Sequence, residues 1–551
     1  MKSIHNKICG AALLLSLSLT GCMEEPIPMS STATEDQLVS SSKATEALAF
    51  SMPAFFNNFA TYSSDFAYDW GYGSLMHMRD IETADLARIS HGYNWYSSWG
   101  ENTYLGPLYV ATYLPWAYYY QAIQTANNTI SALAEAKSER DADGNLVYTI
   151  KPGVSGDYQK GLLAAGFAFR ALFYLDAAQW YEFLPNEIFT TNEEGENITK
   201  LTLPIVTEMT TEAEARNNPR ARREDMYKFI SNDLKYAIEF GKNFQRPNKT
   251  LPDIVAIYGL CARLNLWVGN YEEAAKWARM AINEGKNKPL TKEEWLNTSK
   301  GFNDDAVSSW VWSSRMGKED NVVQTGILNW TSWMSNEAQF GYSAAAPFLM
   351  IGSALYDRIN DTDFRKLSWK APKGHPLAGK EPVIDEEWAA TLADYSSFKF
   401  RPSEGNTQEY TIACVGAYPI MRIEEMYLIE AEATAHFDEG KAGSLLTEFV
   451  KTYRDPAFEL GTADGIVDEC FQQKRIELWG EGLIAWDYKR LDVSVDRTTS
   501  LNWGDLENYK TNGRPAWLNL CIPQTEINNN PALKGKNNPD PSGRYNPVPK
   551  K

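Results

Sequence analysis

Residues 253–284, DIVAIYGLCARLNLWVGNYEEAAKWARMAINE, read as two helices joined by a tight turn. The break falls at Gly269-Asn270, and Tyr271 opens the second helix. Ala262, Gly269, Tyr271, Ala274, Ala278 and Ala281 follow the small-residue and aromatic spacing of a tetratricopeptide repeat. Small side chains let two antiparallel helices approach closely, and the glycine permits the turn between them. One such pair cannot bury its apolar face alone, so further pairs are expected to stack on it.

The 3.6-residue period recurs on both sides. Residues 108–138 place Trp116, Tyr120, Ile123 and Asn127 on one helix face. A second helix covers about 156–183, through Leu162, Ala165, Phe169, Leu172, Phe173, Leu175 and Ala178, and stops near Pro185. From Glu224 to Phe244, Tyr227, Ile230, Leu234 and Ile238 form a stripe. Arg422–His436 starts another pair, with Met426, Leu428, Ile429 and Ala433 in period and a turn near Asp438-Glu439-Gly440. The last helix is expected over about 463–490. The fold class is therefore mainly α: tetratricopeptide-like helix pairs form a scaffold over about 108–285 and 415–490, packed against an irregular, loop-rich part with a few short strands. That part is residues 60–107 and 286–410, rich in Gly, Asn, Ser, Asp and aromatics. Ser308–Ser313 alternates like a strand and puts Trp310 and Trp312 in the core. Loops this long usually carry function.

The N-terminus indicates where the protein works. Lys2 and Lys7 precede an apolar run from Ile8 to Leu19, which ends in Leu19-Thr20-Gly21-Cys22. This is the pattern of a bacterial lipoprotein signal, cleaved before Cys22 and acylated on it. The run is shorter than the roughly 20 apolar residues that span a bilayer. Residues 1–21 are then the leader, 22–42 an acylated cysteine and flexible Ser/Thr/Pro-rich tether, and 43–551 the body. The acids of Met23-Glu24-Glu25, directly behind the anchor, resemble the export signal of some surface lipoproteins.

Composition narrows the function. The net charge is -18, and the leader removes two lysines and no acid, so the mature chain is more acidic still. Such a surface repels the nucleic-acid polyanion, and no basic run offsets it. With Cys9 gone and Cys22 acylated, Cys261, Cys414, Cys470 and Cys521 remain, far apart and without a C-x-x-C pair; free thiols are expected. Five histidines and no His/Cys cluster leave a metal site without support, and no cofactor is indicated.

Several motifs recur in a recognisable order. Trp116-x3-Tyr120-x2-Ile123-x3-Asn127 is followed by Arg170–Asp176, Trp180-Tyr181 and Pro185, then by Tyr227, Ile230, Asp233-Leu234 and Ala237-Ile238. Pro419–Ala433, Arg475–Leu478, Glu481-Gly482, Trp486–Arg490 and Ile522-Pro523-Gln524-x-Glu526-Ile527 complete the series. Behind a lipobox, this order resembles the SusD/RagB family of surface nutrient-binding lipoproteins over nearly the whole chain. The family's ending usually continues through Asn-Pro-Gly-Tyr; here it reads Asn537-Asn538-Pro539-Asp540-Pro541-Ser542-Gly543-Arg544-Tyr545, a small insertion. The resemblance implies a lipid-anchored protein on the outer face of the outer membrane. Its partner would be a SusC-like TonB-dependent transporter, and its ligand an oligosaccharide or polysaccharide, or a peptide in some members. It also implies no catalysis.

The charged motif residues Arg475, Glu477, Glu481, Asp487 and Arg490 alternate in sign and are expected to pair inside the scaffold. A glycan site needs aromatic planes for the C–H face of a sugar and short polar groups for its hydroxyls. Two loop stretches offer both, and the resembling family draws its ligand site from roughly these two regions. The first supplies Trp70, Tyr72, Arg79, Asp80, Asn94, Trp95, Tyr96 and Trp99; the second supplies Trp330, Trp333, Phe340 and Tyr342. Asp65, Asp69, Asp80 and Asp85 lie near the first stretch. They keep open a helical glycoside hydrolase, which needs two carboxylates about 5–10 Å apart in a cleft.

Overall fold

The computed structural model describes residues 42–60, 66–88, 93–142, 144–345, 348–461 and 465–550. The leader, Cys22 and all of the tether before Ser42 lie outside the described residues, as does Asp65. Helices of seven residues or more are α1 Ser42–Phe55, α2 Tyr72–Ile81, α3 Val110–Leu133, α4 Gly156–Tyr181, α5 Arg223–Gly241, α6 Ile254–Val268, α7 Tyr271–Asn283, α8 Ile423–Ala435, α9 Glu439–Tyr453, α10 Ile466–Glu477 and α11 Ile484–Arg490. Strands are short and pair only in twos: β1 Leu86–Arg88 with β5 Leu349–Ile351, β2 Ala134–Arg140 with β3 Leu146–Ile150, and β4 Trp310–Arg315 with β6 Ala417–Arg422, all antiparallel. The chain is mainly helical.

The helix pair read from residues 253–284 is α6 and α7. Asp253 caps α6 by accepting from the backbone N–H groups of Val255 and Ala256, and Gly269 ends it in the left-handed region at φ 83°. Ala262, Ala274, Ala278 and Ala281 are buried between the two helices and their neighbours. α4 packs against α3 and α5, and α7 packs against α8, so the two halves of the scaffold close on each other across the long intervening segment. Two bidentate ion pairs hold this junction: Arg263 to Glu425 at 2.6 Å through both donors, and Arg279 to Glu430 at 2.8 and 2.5 Å. α4 is long and apolar enough to cross a membrane, but that apolar stretch is entirely buried, and it serves as the core helix.

Two expectations change. The helix read over 108–138 stops at Leu133, and the chain turns into the β2–β3 hairpin. Tertiary contacts decide this: Asn232 donates to the Leu146 carbonyl, the Tyr148 N–H donates to the Tyr236 hydroxyl, and Arg170 donates to the Tyr148 hydroxyl. The helix read over 463–490 is two, α10 and α11, broken at Gly480 and Gly482 with φ of 76° and 69°. At Gly482 a Cβ would lie 2.6 Å from the Met76 Cα, because α2 passes directly over the turn. Gly482→Ala is expected to cost about 1–3 kcal/mol or more of stability, from left-handed strain plus that clash. Urea unfolding of the variant would check it; an unchanged midpoint would contradict the close approach.

The charged motif residues do pair, but chiefly with partners far along the chain. Glu477 and Glu481 bind Arg422; Glu477 also binds Arg365 and Arg454, and Glu481 also binds Lys399. Arg475 binds Asp85, Asp487 binds Lys474 and Arg490, and Glu432 binds the same two cations. Asn127, Arg170 and Asp233, from three separate motifs, meet in one buried cluster with Arg170 at its centre. Cys261, Cys414, Cys470 and Cys521 are buried and unbridged, and Trp310 and Trp312 are in the core.

Candidate functional site

The two aromatic-rich loop stretches come together. β1 pairs with β5 in the register Leu86↔Ile351, Ala87↔Met350 and Arg88↔Leu349, and the Tyr93 N–H donates to the Ala345 carbonyl at 3.0 Å. The backbone of the first stretch is thereby fixed against that of the second. Aromatic rings then stack outward in layers.

The inner layer is core. Trp70 meets Trp330 edge-on at 6.3 Å, and Trp330 stacks on Tyr418 at 4.6 Å. The Trp70 indole N–H donates to the Tyr96 hydroxyl at 2.7 Å. Tyr96 lies edge-on to Trp333 at 4.9 Å and beside Trp99 at 5.5 Å. Tyr72 donates from its hydroxyl to Asp176, and Arg79 donates to the Gly482 carbonyl at 2.7 Å and the Tyr119 hydroxyl at 2.9 Å. Asp80 accepts from the Gly482 N–H at 2.9 Å; burial pushes its carboxyl well above the usual range. Trp70, Tyr72, Arg79, Asp80, Tyr96, Trp99 and Trp330 are therefore enclosed, with no face for a ligand. They were expected as contacts because loop aromatics with interleaved polar residues look alike whether they stack on sugar or on one another.

The outer layer is open. Tyr93 is 62% exposed and Trp95 42%, with ring planes 10° apart and centroids 6.5 Å apart. Beneath them half-buried Tyr342 stacks on Trp333 at 4.2 Å and 18°, and the Trp95 indole N–H bonds the Tyr342 hydroxyl. Trp333 is only 6% exposed and acts as the base of this stack. Asn94, half-buried between the two exposed rings in sequence, accepts from Arg88 at 3.1 Å. Arg88 is anchored in turn by Glu507 at 2.7 Å. Phe340 is half-buried and lies 6.5 Å from exposed Tyr410, apart from the Tyr93–Trp95 pair in its contacts. Tyr93 lies in the same loop stretch, two positions before Trp95, and is the more exposed ring of the two.

His77 lies under this stack, edge-on to Tyr96 at 4.7 Å and 6.0 Å from Trp333. Both ring nitrogens are buried without a hydrogen-bond partner among the described residues. Burial first, and then the positive charge of Arg88, hold its pKa well below 6.5. The unfolded chain therefore takes up a proton below about pH 6.5 that the folded chain refuses, so stability falls as pH drops through that window. Replacing His77 by Phe is expected to flatten the fall by about 1.4 kcal/mol per pH unit between pH 6 and 5. Parallel slopes for variant and parent in chemical unfolding would contradict it.

Among the described residues, Asp69, Asp80 and Asp85 form no acid pair facing the platform. Asp69 accepts from the Ala60 N–H at 2.9 Å, Asp80 is held as above, and Asp85 is bound by Arg475 and Tyr488; all three are buried. No group of three or more His, Cys, Asp or Glu that could hold a metal occurs among the described residues. A cleft of about 610 Å³ opens elsewhere, near Asp304, Asp305, Arg315 and Glu404, and no aromatic ring lines it.

Comparison with known proteins agrees with this architecture. The model of the SusD family matches residues 373–540. No curated protein matches the chain. Among solved structures, a SusD-like carbohydrate binding protein from Bacteroides vulgatus ATCC 8482 is 21% identical with a TM-score of 0.66, over 90% of this chain and 97% of that one. A laminarin binding SusD-like protein is 17% identical with a TM-score of 0.60, over 89% and 98%. Surface glycan-binding protein A from Bacteroides thetaiotaomicron is 14% identical with a TM-score of 0.58, over 91% and 99%. The motif series, the helix-pair scaffold and the family match over residues 373–540 agree with one another, and the chain has a SusD-like fold.

Proposed function

We propose that this protein is a non-catalytic, surface-exposed lipoprotein that captures an oligosaccharide or polysaccharide and passes it to a SusC-like TonB-dependent transporter. The observation that carries the reading is the exposed Tyr93–Trp95 pair, seated on the Tyr342–Trp333 stack with Asn94 beside it. Exposed aromatic planes on a soluble surface lose hydration favourably when a sugar's C–H face covers them. The rings are held from below, so little order is lost on binding. Solved structures that share the fold are named as carbohydrate- and glycan-binding proteins, which supports the same class of ligand. The lipobox at Cys22 and the acids behind it support anchoring to the outer membrane with the body facing outward. A peptide ligand is the alternative. The platform favours a sugar, since stacked exposed rings match its C–H face, whereas a peptide would be held chiefly through backbone hydrogen bonds.

Isothermal titration against plant and host polysaccharides tests the reading. Saturable binding without new reducing ends is expected. Release of reducing ends would make the protein a hydrolase, and binding of peptides alone would assign it to the alternative class.

A further inference from the structure

The outer face of α3 carries a second row of aromatic rings, built from none of the residues of the Tyr93–Trp95 platform. Tyr109 is exposed at the helix N-terminus, Tyr113 and Tyr120 are half-buried, and Trp116 is buried between them but lines the neighbouring cleft. Their spacings of four, three and four put them on one face over about 16 Å of helix axis. Trp116 and Tyr120 have centroids 4.7 Å apart, and exposed Tyr104 extends the row by meeting Tyr109 edge-on at 5.1 Å. A cleft of about 380 Å³ opens beside Tyr113, Trp116 and Tyr120, and the short helix Gln524–Asn529 forms part of its far wall.

Three features point to the chemistry of an occupant. All 24 residues of α3 are uncharged, in a chain where 23% of residues carry charge. A solvated helix face usually carries ions; this one offers rings and the exposed amides of Gln121 and Gln124. The Tyr120 ring is fixed, since its hydroxyl donates to the Pro204 carbonyl at 2.7 Å. Finally, Glu526 lines the cleft beside Trp116 and Tyr120. Burial raises its pKa, and the Trp116 indole N–H holds the carboxylate. Rings for C–H faces, amides for hydroxyls and one half-buried acceptor suit an uncharged, polyhydroxylated chain.

We propose that the outer face of α3 and the cleft beside it form a second saccharide site, which takes a neutral oligosaccharide segment lying along the helix with Glu526 accepting from its hydroxyls. The proposal rests on the glycan-binding reading above. Two sites on one body would hold a long polysaccharide at two points and raise its retention without new affinity at either.

Calorimetric titration of the purified full chain with maltohexaose, laminarihexaose and xylohexaose tests it. For a hexasaccharide that binds, the expected result is two sites. One should survive in the Tyr93→Ala/Trp95→Ala variant and weaken at least tenfold when Tyr113→Ala and Glu526→Gln are added. Both latter residues are partly exposed, and an unchanged melting temperature verifies the fold. A single site that vanishes with Trp95 and ignores Tyr113 and Glu526 overturns this proposal while the platform reading stands. Binding that ignores Trp95 but needs Tyr113 keeps this proposal and removes the platform. No binding of any of the three overturns both. Loss of a co-purifying membrane protein in Tyr113→Asp, with saccharide binding intact, would assign the face to a protein partner instead.

Discussion

Replacing Glu477 by Ala is expected to lower stability by about 3–5 kcal/mol or more, the cost of removing one partner from a buried ion cluster. The carboxylate is fully buried and accepts from three arginines: Arg422 at 3.0 Å, Arg365 at 3.0 Å, and Arg454 at 2.8 and 2.7 Å. Its own carbonyl accepts from Arg422 and from Lys399. Removing the side chain leaves three guanidinium groups enclosed with fewer acceptors, far from water. Glu477→Gln should fail nearly as badly, because it keeps the shape and loses the charge. Burial alone would push this carboxyl up, but Arg454, Arg422 and Arg365 together hold it far below the usual carboxylate range. A depressed carboxylate contributes stability that is present above the unfolded value near 4.5 and lost only as pH falls through the folded one. This cluster therefore persists through mild acid, while His77 makes the protein lose stability below about pH 6.5. Urea unfolding of Glu477→Ala at pH 7 checks the magnitude; a loss under 1 kcal/mol would mean that the cluster relaxes to water.

Trp95→Ala is expected to reduce glycan affinity by about thirtyfold, roughly 2 kcal/mol, the scale of an aromatic anchor at a binding surface. Its thermal midpoint should stay within a few degrees of the parent, because the ring is 42% exposed and packs at the surface, not in the core. Trp333→Ala should behave differently. That ring is enclosed by Tyr96, His77 and Tyr342, so its removal leaves a cavity and costs about 3–5 kcal/mol of stability. Titration and calorimetry of the two variants separate the roles. Equal loss of affinity with no change in melting for both would show that Trp333 itself meets the ligand and that the stack opens on binding.

The helical scaffold was legible because its signals are local. Gly269 ends a helix by its own backbone freedom, and alanines at helical spacing bury whatever their neighbours are. The hairpin at 134–150 was not legible: Leu146 and Tyr148 become strand residues only because α4 and α5 present Arg170, Asn232 and Tyr236 to them. The break at Gly480–Gly482 was hidden in plain composition, since a glycine inside a helical pattern is tolerated at about 1 kcal/mol. What forces the break is α2, some four hundred positions earlier in the chain. At the candidate site, both loop stretches were found, but not which rings face out.

By itself, then, the sequence carried the lipobox pattern, an acidic balance that disfavours nucleic acid, the repeat period of the scaffold and the motif series. Each depends on residues near one another in the chain or on composition. Tertiary structure alone decided the partners of the charged motif residues and the sorting of aromatics into core and surface. Trp70 and Trp95 occupy similar sequence surroundings, with tyrosines and short polar residues on either side. One is enclosed by Trp330 and Tyr96, the other stands above Tyr342 in water, and the difference is made by β5 and the 330–345 segment closing over the first loop. Exposure belongs to the packing of distant segments, and no local pattern encodes it.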